Sequence, residues 1–148
     1  MDVKMNEARE FLKAVEMPAA QQTDLCCYVI LALSDVKPDD DWSQATNEWH
    51  RIHDIIAYTG ENYGVTYAEN SRETFRKQAI HHFRNAALIE DNGKATNSPL
   101  YRYRLTDETL GLVRSIGTEE WDEKLDAFKE AHPSLISLYA SKKKMTKM

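Results

Sequence analysis

Hydrophobic period changes once along this chain, and the change fixes what must follow it. From Ser71 to about Ala87 the apolar residues Phe75, Ala79, Phe83 and Ala86 share one face of a helix turning about 100° per residue. From Tyr101 to Leu105 they alternate: Tyr101, Tyr103 and Leu105 against Arg102 and Arg104, the pattern of a half-buried strand. Between the two stretches lie Asn92-Gly93 and Ser98-Pro99, which are turn chemistry. A helix must therefore run into a hairpin with a long, polar, mildly basic tip. Asn70 is expected to cap the helix, with Glu73 three residues later completing a capping box.

Helical spacing accounts for most of the rest. Ala8, Phe11, Leu12 and Val15 form a stripe that Pro18 ends. Leu25 to Leu33 is apolar on nearly every side and reads as a helix at the centre of the domain. "SDVKPDDDWS" is a polar loop. Trp49, Ile52, Ile56 and Tyr63 mark another amphipathic helix, ending near Gly60 or Gly64. Thr106 caps a helix with Asp107 and Glu108 in its first turn and Leu110 and Val113 facing inward. Trp121, Leu125 and Phe128 mark one more, and "SLISLYASKKK" a last one. Residues 1–141 read as one domain and 142–148 as a basic tail or linker. No apolar run approaches the ~20 residues that span a bilayer, and the first residues are charged and polar, so a cytoplasmic location without membrane contact is expected. Cys26 and Cys27 are adjacent and read as buried thiols.

Charge is unevenly placed. The whole chain carries −5, yet residues 71–104 hold seven basic side chains against three acids, a local +4 that leaves −9 on the remainder. Screening cuts off distant charges beyond ~8–10 Å, so the local value governs what this segment meets. Opposite its apolar stripe the 71–87 helix presents Thr74, Lys77, Gln78, His81, Arg84 and Asn85.

The order helix, turn, polar-faced helix, hairpin, helix is that of a winged helix-turn-helix, so the expected fold is mainly α with a small β-hairpin and extra N- and C-terminal helices. An α-helix fits the DNA major groove, where Gln pairs well with adenine and Arg or Lys with guanine. Thr74, Lys77, Gln78, His81 and Arg84 are the residues expected to enter or border that groove. Arg72, Arg76, Lys94, Asn97, Ser98, Arg102 and Arg104 are expected to hold the phosphate backbone. Arg72 and Arg76 lie nearer the apolar side of the wheel, where pairing with Glu73 or Glu69 is the structural alternative. Winged helices also serve as protein-interaction or dimerisation modules, and in that version Trp121, Phe128, Leu138 and Tyr139 form the adhesive surface. A stand-alone transcription regulator is the third reading.

Three stretches carry a resemblance beyond pattern: "PAAQQTDLCCYVILALSDVKPDDDWSQA", "YGVTYAENSRETFRKQAIHHF" and "NSPLYRYRLTDETLGLVRSIGTEEW". Together they resemble the N-terminal helix-turn-helix domain of the BsuBI/PstI family of type II restriction endonucleases. Asn70 to Gln78 is the most specific part. The resemblance implies a sequence-recognition domain for double-stranded DNA, acting as a dimer on a short palindrome such as the CTGCAG read by the family's namesakes. It also implies a following Mg²⁺-dependent nuclease domain of the Pro-Asp…Asp/Glu-x-Lys kind. This chain shows no such constellation. Pro38-Asp39 has no Asp/Glu-x-Lys after it at sensible spacing, and Asp35-Val36-Lys37 precedes it in a loop. The chain by itself is thus expected to hold no catalytic or metal-binding residue, while the parent protein is the enzyme. His50, His53 and Asp54 read as a solvated surface group rather than a metal site.

Overall fold

The structure is a computed structural model describing residues 3–95 and 97–131. The expected last helix, the 142–148 tail, Leu138 and Tyr139 lie outside the described residues.

Helix α2, Asp24–Ser34, is the centre of the molecule. All its apolar side chains except Tyr28 are buried, as its unbroken apolar sequence requires. The Thr23 side chain accepts from the Cys26 amide and starts the helix. Three helices pack around it: α1, Val3–Ala14; α3, Ile52–Tyr63; and α4, residues 72–85. A hairpin follows, with β1, Ile89–Asp91, antiparallel to β2, Tyr103–Leu105, and Glu90 opposite Arg104. Thr106 then caps α5, Asp107–Arg114, its side chain accepting from the Thr109 amide. Helix α6, Trp121–Ala131, closes the described chain.

The hairpin gains a third partner. Before α3 the backbone of His50 pairs with Tyr103, each N–H donating to the other's carbonyl at 2.8 Å. The path is therefore helix, bridge, helix, helix, hairpin. The bridge also corrects the expectation for His50. It lies ahead of α3 rather than on it, is half-buried, and its Nε2 is buried with no hydrogen-bond partner among the described residues. Burial pulls its pKa down, against the opposing pull of Asp54. Trp49 likewise stands outside α3, whose buried face is Ile52, Ile55 and Thr59. Gly60 lies within α3. Gly64, at φ 72°, ends it in the left-handed conformation that a residue without Cβ adopts freely.

Two further expectations are revised. No capping box forms between Asn70 and Glu73. A 3-10 turn, Glu69–Ser71, leads into α4, and Glu73 instead accepts from Arg76 Nη1 at 2.7 Å. The adhesive surface also dissolves among the described residues: Phe128 is buried, and Trp121 is partly buried against Phe11, ring centroids 6.4 Å apart.

Both cysteines are buried and free. Burial pushes the Cys27 thiol up to about 12, so it stays protonated at neutral pH.

Candidate nucleic-acid interface

Helix α4 is continuous but not uniform. Arg72–Phe75 and His81–Asn85 are α-helical, and Arg76–Ile80 between them is a π turn in which the His81 amide donates to the Arg76 carbonyl. Tertiary bonds accompany the widened turn. The Gln78 carbonyl accepts from Gln21 Nε2 at 3.3 Å and from Cys26 Sγ at 3.4 Å, which ties the middle of α4 to α2. Beneath it Phe75, Ala79 and Phe83 are fully buried, and Tyr67 meets Phe75 edge-on at 4.9 Å. The helix is thus seated from behind while its outer strip stays open.

On that strip Thr74, Lys77, Gln78 and His81 are exposed. The side chains of Thr74, Lys77 and Gln78 make no hydrogen bond or ion pair among the described residues. His81 exchanges a hydrogen bond with Asn85 Nδ2 at 3.2 Å, one turn on, and its ring meets His82 edge-on. The strip sets amide, ammonium, hydroxyl and imidazole groups along one helix face, donor and acceptor types that can pair with base edges.

The other expected cations divide. Arg84 donates to Asp91 Oδ2 at 3.1 Å and to the Tyr101 hydroxyl at 3.0 Å, and that hydroxyl donates to the same carboxylate oxygen at 3.3 Å. The triangle fastens the end of α4 to the hairpin. The Gly93 amide and the Arg84 guanidinium hold the Asp91 carboxyl below the usual carboxylate range. Arg104 donates to its cross-strand neighbour Glu90 at 2.8 Å and lies over the Trp49 ring at 4.4 Å. Arg102 Nη1 donates to the carbonyls of Pro99, at 2.7 Å, and Tyr101, at 3.0 Å. Lys94 is exposed near the hairpin turn with no side-chain partner among the described residues.

Arg72, Arg76, Asn97 and Ser98 converge on one open cleft of about 810 Å³. Its walls are the start of α4, the start of α3 and the hairpin tip. Arg72 has no side-chain partner among the described residues; Arg76 pairs with Glu73. Two more polar residues line the cleft: Arg51, to which the pattern assigns no role, and His53, expected only as part of a solvated surface group. Both fall outside the basic 71–104 segment. The one available signal was an arginine immediately ahead of the Ile52 stripe, and pattern alone could not place it against the hairpin.

The family model described as "BsuBI/PstI restriction endonuclease HTH domain" matches residues 2–137. The chain is 32% identical to the type II restriction enzyme BsuBI of Bacillus subtilis over 152 aligned residues, which covers 100% of this chain and 48% of that protein. It is 29% identical to the type II restriction enzyme AplI of Arthrospira platensis, over 97% of this chain and 45% of that one. Among solved structures, SdaI restriction endonuclease superposes with a TM-score of 0.83 at 27% identity, covering 93% of this chain and 44% of that one. The chain spans about half the length of each relative.

Proposed function

This chain belongs to the BsuBI/PstI restriction endonuclease HTH-domain family, and from that premise we propose that it is the double-stranded DNA-recognition domain of a type II site-specific restriction endonuclease. Cleavage, with its Mg²⁺, is assigned to the remainder of the parent. Among the described residues no three His, Cys, Asp or Glu side chains are grouped to hold a metal ion.

The observation that carries the reading is the open strip of α4. The side chains of Thr74, Lys77 and Gln78 have no partner among the described residues, the helix has a fully buried anchor behind it, and the strip has the width of a single helix. The winged variant of the fold is favoured by the path of the chain, with a one-residue bridge ahead of α3 extending the hairpin. In this reading Thr74, Lys77, Gln78 and His81 enter or border the major groove, with Gln78 at a base edge and Lys77 within reach of a phosphate. Arg72, Arg76, Lys94, Asn97 and Ser98 face phosphates. Arg84, Arg102 and Arg104 are already bonded within the domain and reach DNA only with the donors those bonds leave over. Two copies acting as a dimer would meet the two halves of a palindrome.

The test is fluorescence-detected binding of the chain to a CTGCAG duplex and to its scramble, across a salt titration. Salt-steep binding that prefers the palindrome is the expected result. Equal affinity for both would move base reading to the rest of the parent. No binding at low salt would overturn the assignment.

A further inference from the structure

Most of what lines the cleft between α3, α4 and the hairpin tip is built for an anion. Three guanidiniums line it, Arg51, Arg72 and Arg76, against one lining carboxylate, Glu73. Each arginine is held in a different way. Arg51 is gripped by Asp54 through two bonds, Nη2 to Oδ1 at 2.9 Å and Nε to Oδ2 at 3.3 Å. A guanidinium has five N–H donors, so this pairing orients the group while leaving donors over. Arg76 gives Nη1 to Glu73, and its Nε is buried with no hydrogen-bond partner among the described residues. Arg72 is unengaged among the described residues. Across the cleft Asn97 and Ser98 add neutral hydrogen-bonding groups. Arg51 is the N-cap residue of the twelve-residue α3, which fixes where its side chain leaves the helix end.

We propose that this cleft is a clamp for the sugar-phosphate backbone of one DNA strand, with Arg51 a phosphate contact alongside Arg72 and Arg76. The inference deepens the DNA-binding reading and rests on it. The cleft adjoins the exposed strip on the same helix, so a strand gripped there runs beside the groove that the strip enters. A planar guanidinium fork matches two phosphate oxygens, and two walls of donors suit a strand passing between them. Arg51 thereby ties α3 to the DNA as well as α4, and fixes the angle at which α4 meets the bases.

The test is a methylphosphonate scan. Successive phosphates of the CTGCAG duplex are replaced one at a time by neutral methylphosphonates, and affinity is measured for the wild-type chain, Arg51→Ala and Arg72→Ala, with thermal unfolding recorded for each. The wild type should show one or two adjacent positions at which affinity falls about eightfold at about 0.1 M salt, the worth of one released counterion at that concentration. In each variant affinity for the unmodified duplex should fall by a similar factor, and a position that mattered to the wild type should no longer matter. Arg72→Ala removes no internal partner, so it keeps the test decisive if Arg51→Ala unfolds. A wild type that binds, with both folded variants keeping every phosphate sensitivity, overturns the clamp and spares the DNA reading. A wild type that binds no duplex overturns both.

Discussion

The first half of α4 and the base of the hairpin carry the same residue types and hold them differently. Along the helix Arg72 and Lys77 reach outward with no partner among the described residues. At the hairpin Arg84 is bonded to Asp91 and Tyr101, and Arg104 to Glu90 and over Trp49. All four belong to one basic segment of sequence. The first pair is available to a ligand without rearrangement. The second pair assembles the platform that holds the strip. Net charge treats them as equal, but the cost of recruiting them is not, because an engaged guanidinium is held in place by its partner, its charge is offset by a carboxylate, and only its remaining donors can turn to a ligand.

Both regions depend on the same buried support, and removing it should give the largest effect. Phe83 is fully buried under α4, next to the segment that Arg84 fastens to the hairpin. Phe83→Ala should lower unfolding free energy by about 3–5 kcal/mol in urea denaturation. Strip and hairpin should lose structure in one transition. Two separate transitions would mean that the regions are independent units and that the comparison has no common frame.

Gln78 tests the strip alone. Its side chain is exposed with no partner among the described residues, while its backbone carbonyl accepts from Gln21 and Cys26. Gln78→Ala keeps the backbone and so should leave the melting temperature unchanged. It should cost ~1–3 kcal/mol on the preferred duplex and relax one base position in a binding-site selection. An unchanged site preference would remove Gln78 from the base-reading set.

How far these roles could be read beforehand depended on what kind of contact decides them. Local pattern sufficed for the buried stripe of α4, the alternation of Tyr101, Tyr103 and Leu105, and the Thr106 cap, because period and capping chemistry operate within a few residues. The uniform wheel missed Ile80, which is buried although it falls well off the stripe at about 100° per residue. The π turn is the reason. It winds more slowly, and its accompanying bonds come from Gln21 and Cys26, more than fifty residues away in sequence. Arg51 was missed and Arg84 was placed without its partners for the same cause: proximity to the hairpin is set by tertiary packing. His50 went the same way, drawn from an expected helix into a strand bridge by Tyr103.

The sharpest contrast is a matched pair of substitutions. Lys77→Ala should leave thermal stability unchanged and flatten the slope of log affinity against log salt by about one unit. Arg84→Ala should lower stability by about 1 kcal/mol, a figure held down by the exposure of the pair, and leave the salt slope nearly as it was. The reverse outcome, with stability following Lys77 and the salt slope following Arg84, would exchange the roles of the two regions.

The smallest expected effect concerns acid. Asp91 accepts from the Gly93 amide and from Arg84, and both hold its carboxyl below the usual range. A carboxyl whose folded pKa is lowered binds its proton more readily when unfolded. Its stabilising contribution is therefore complete above the unfolded value of about 3.9 and fades as pH falls through the lower folded value. Both partners are partly exposed, side chains at 39% and 25%, so solvent screening limits the contribution to a few tenths of a kcal/mol. Wild type should exceed Asp91→Asn in stability by that constant margin from pH 7 down to about pH 4, and the margin should close below it. A margin unchanged at pH 2 would place the origin of the effect in packing rather than charge. Asp91→Asn should also leave duplex affinity at pH 7 within about twofold, since the hairpin base holds the platform and the strip meets the DNA.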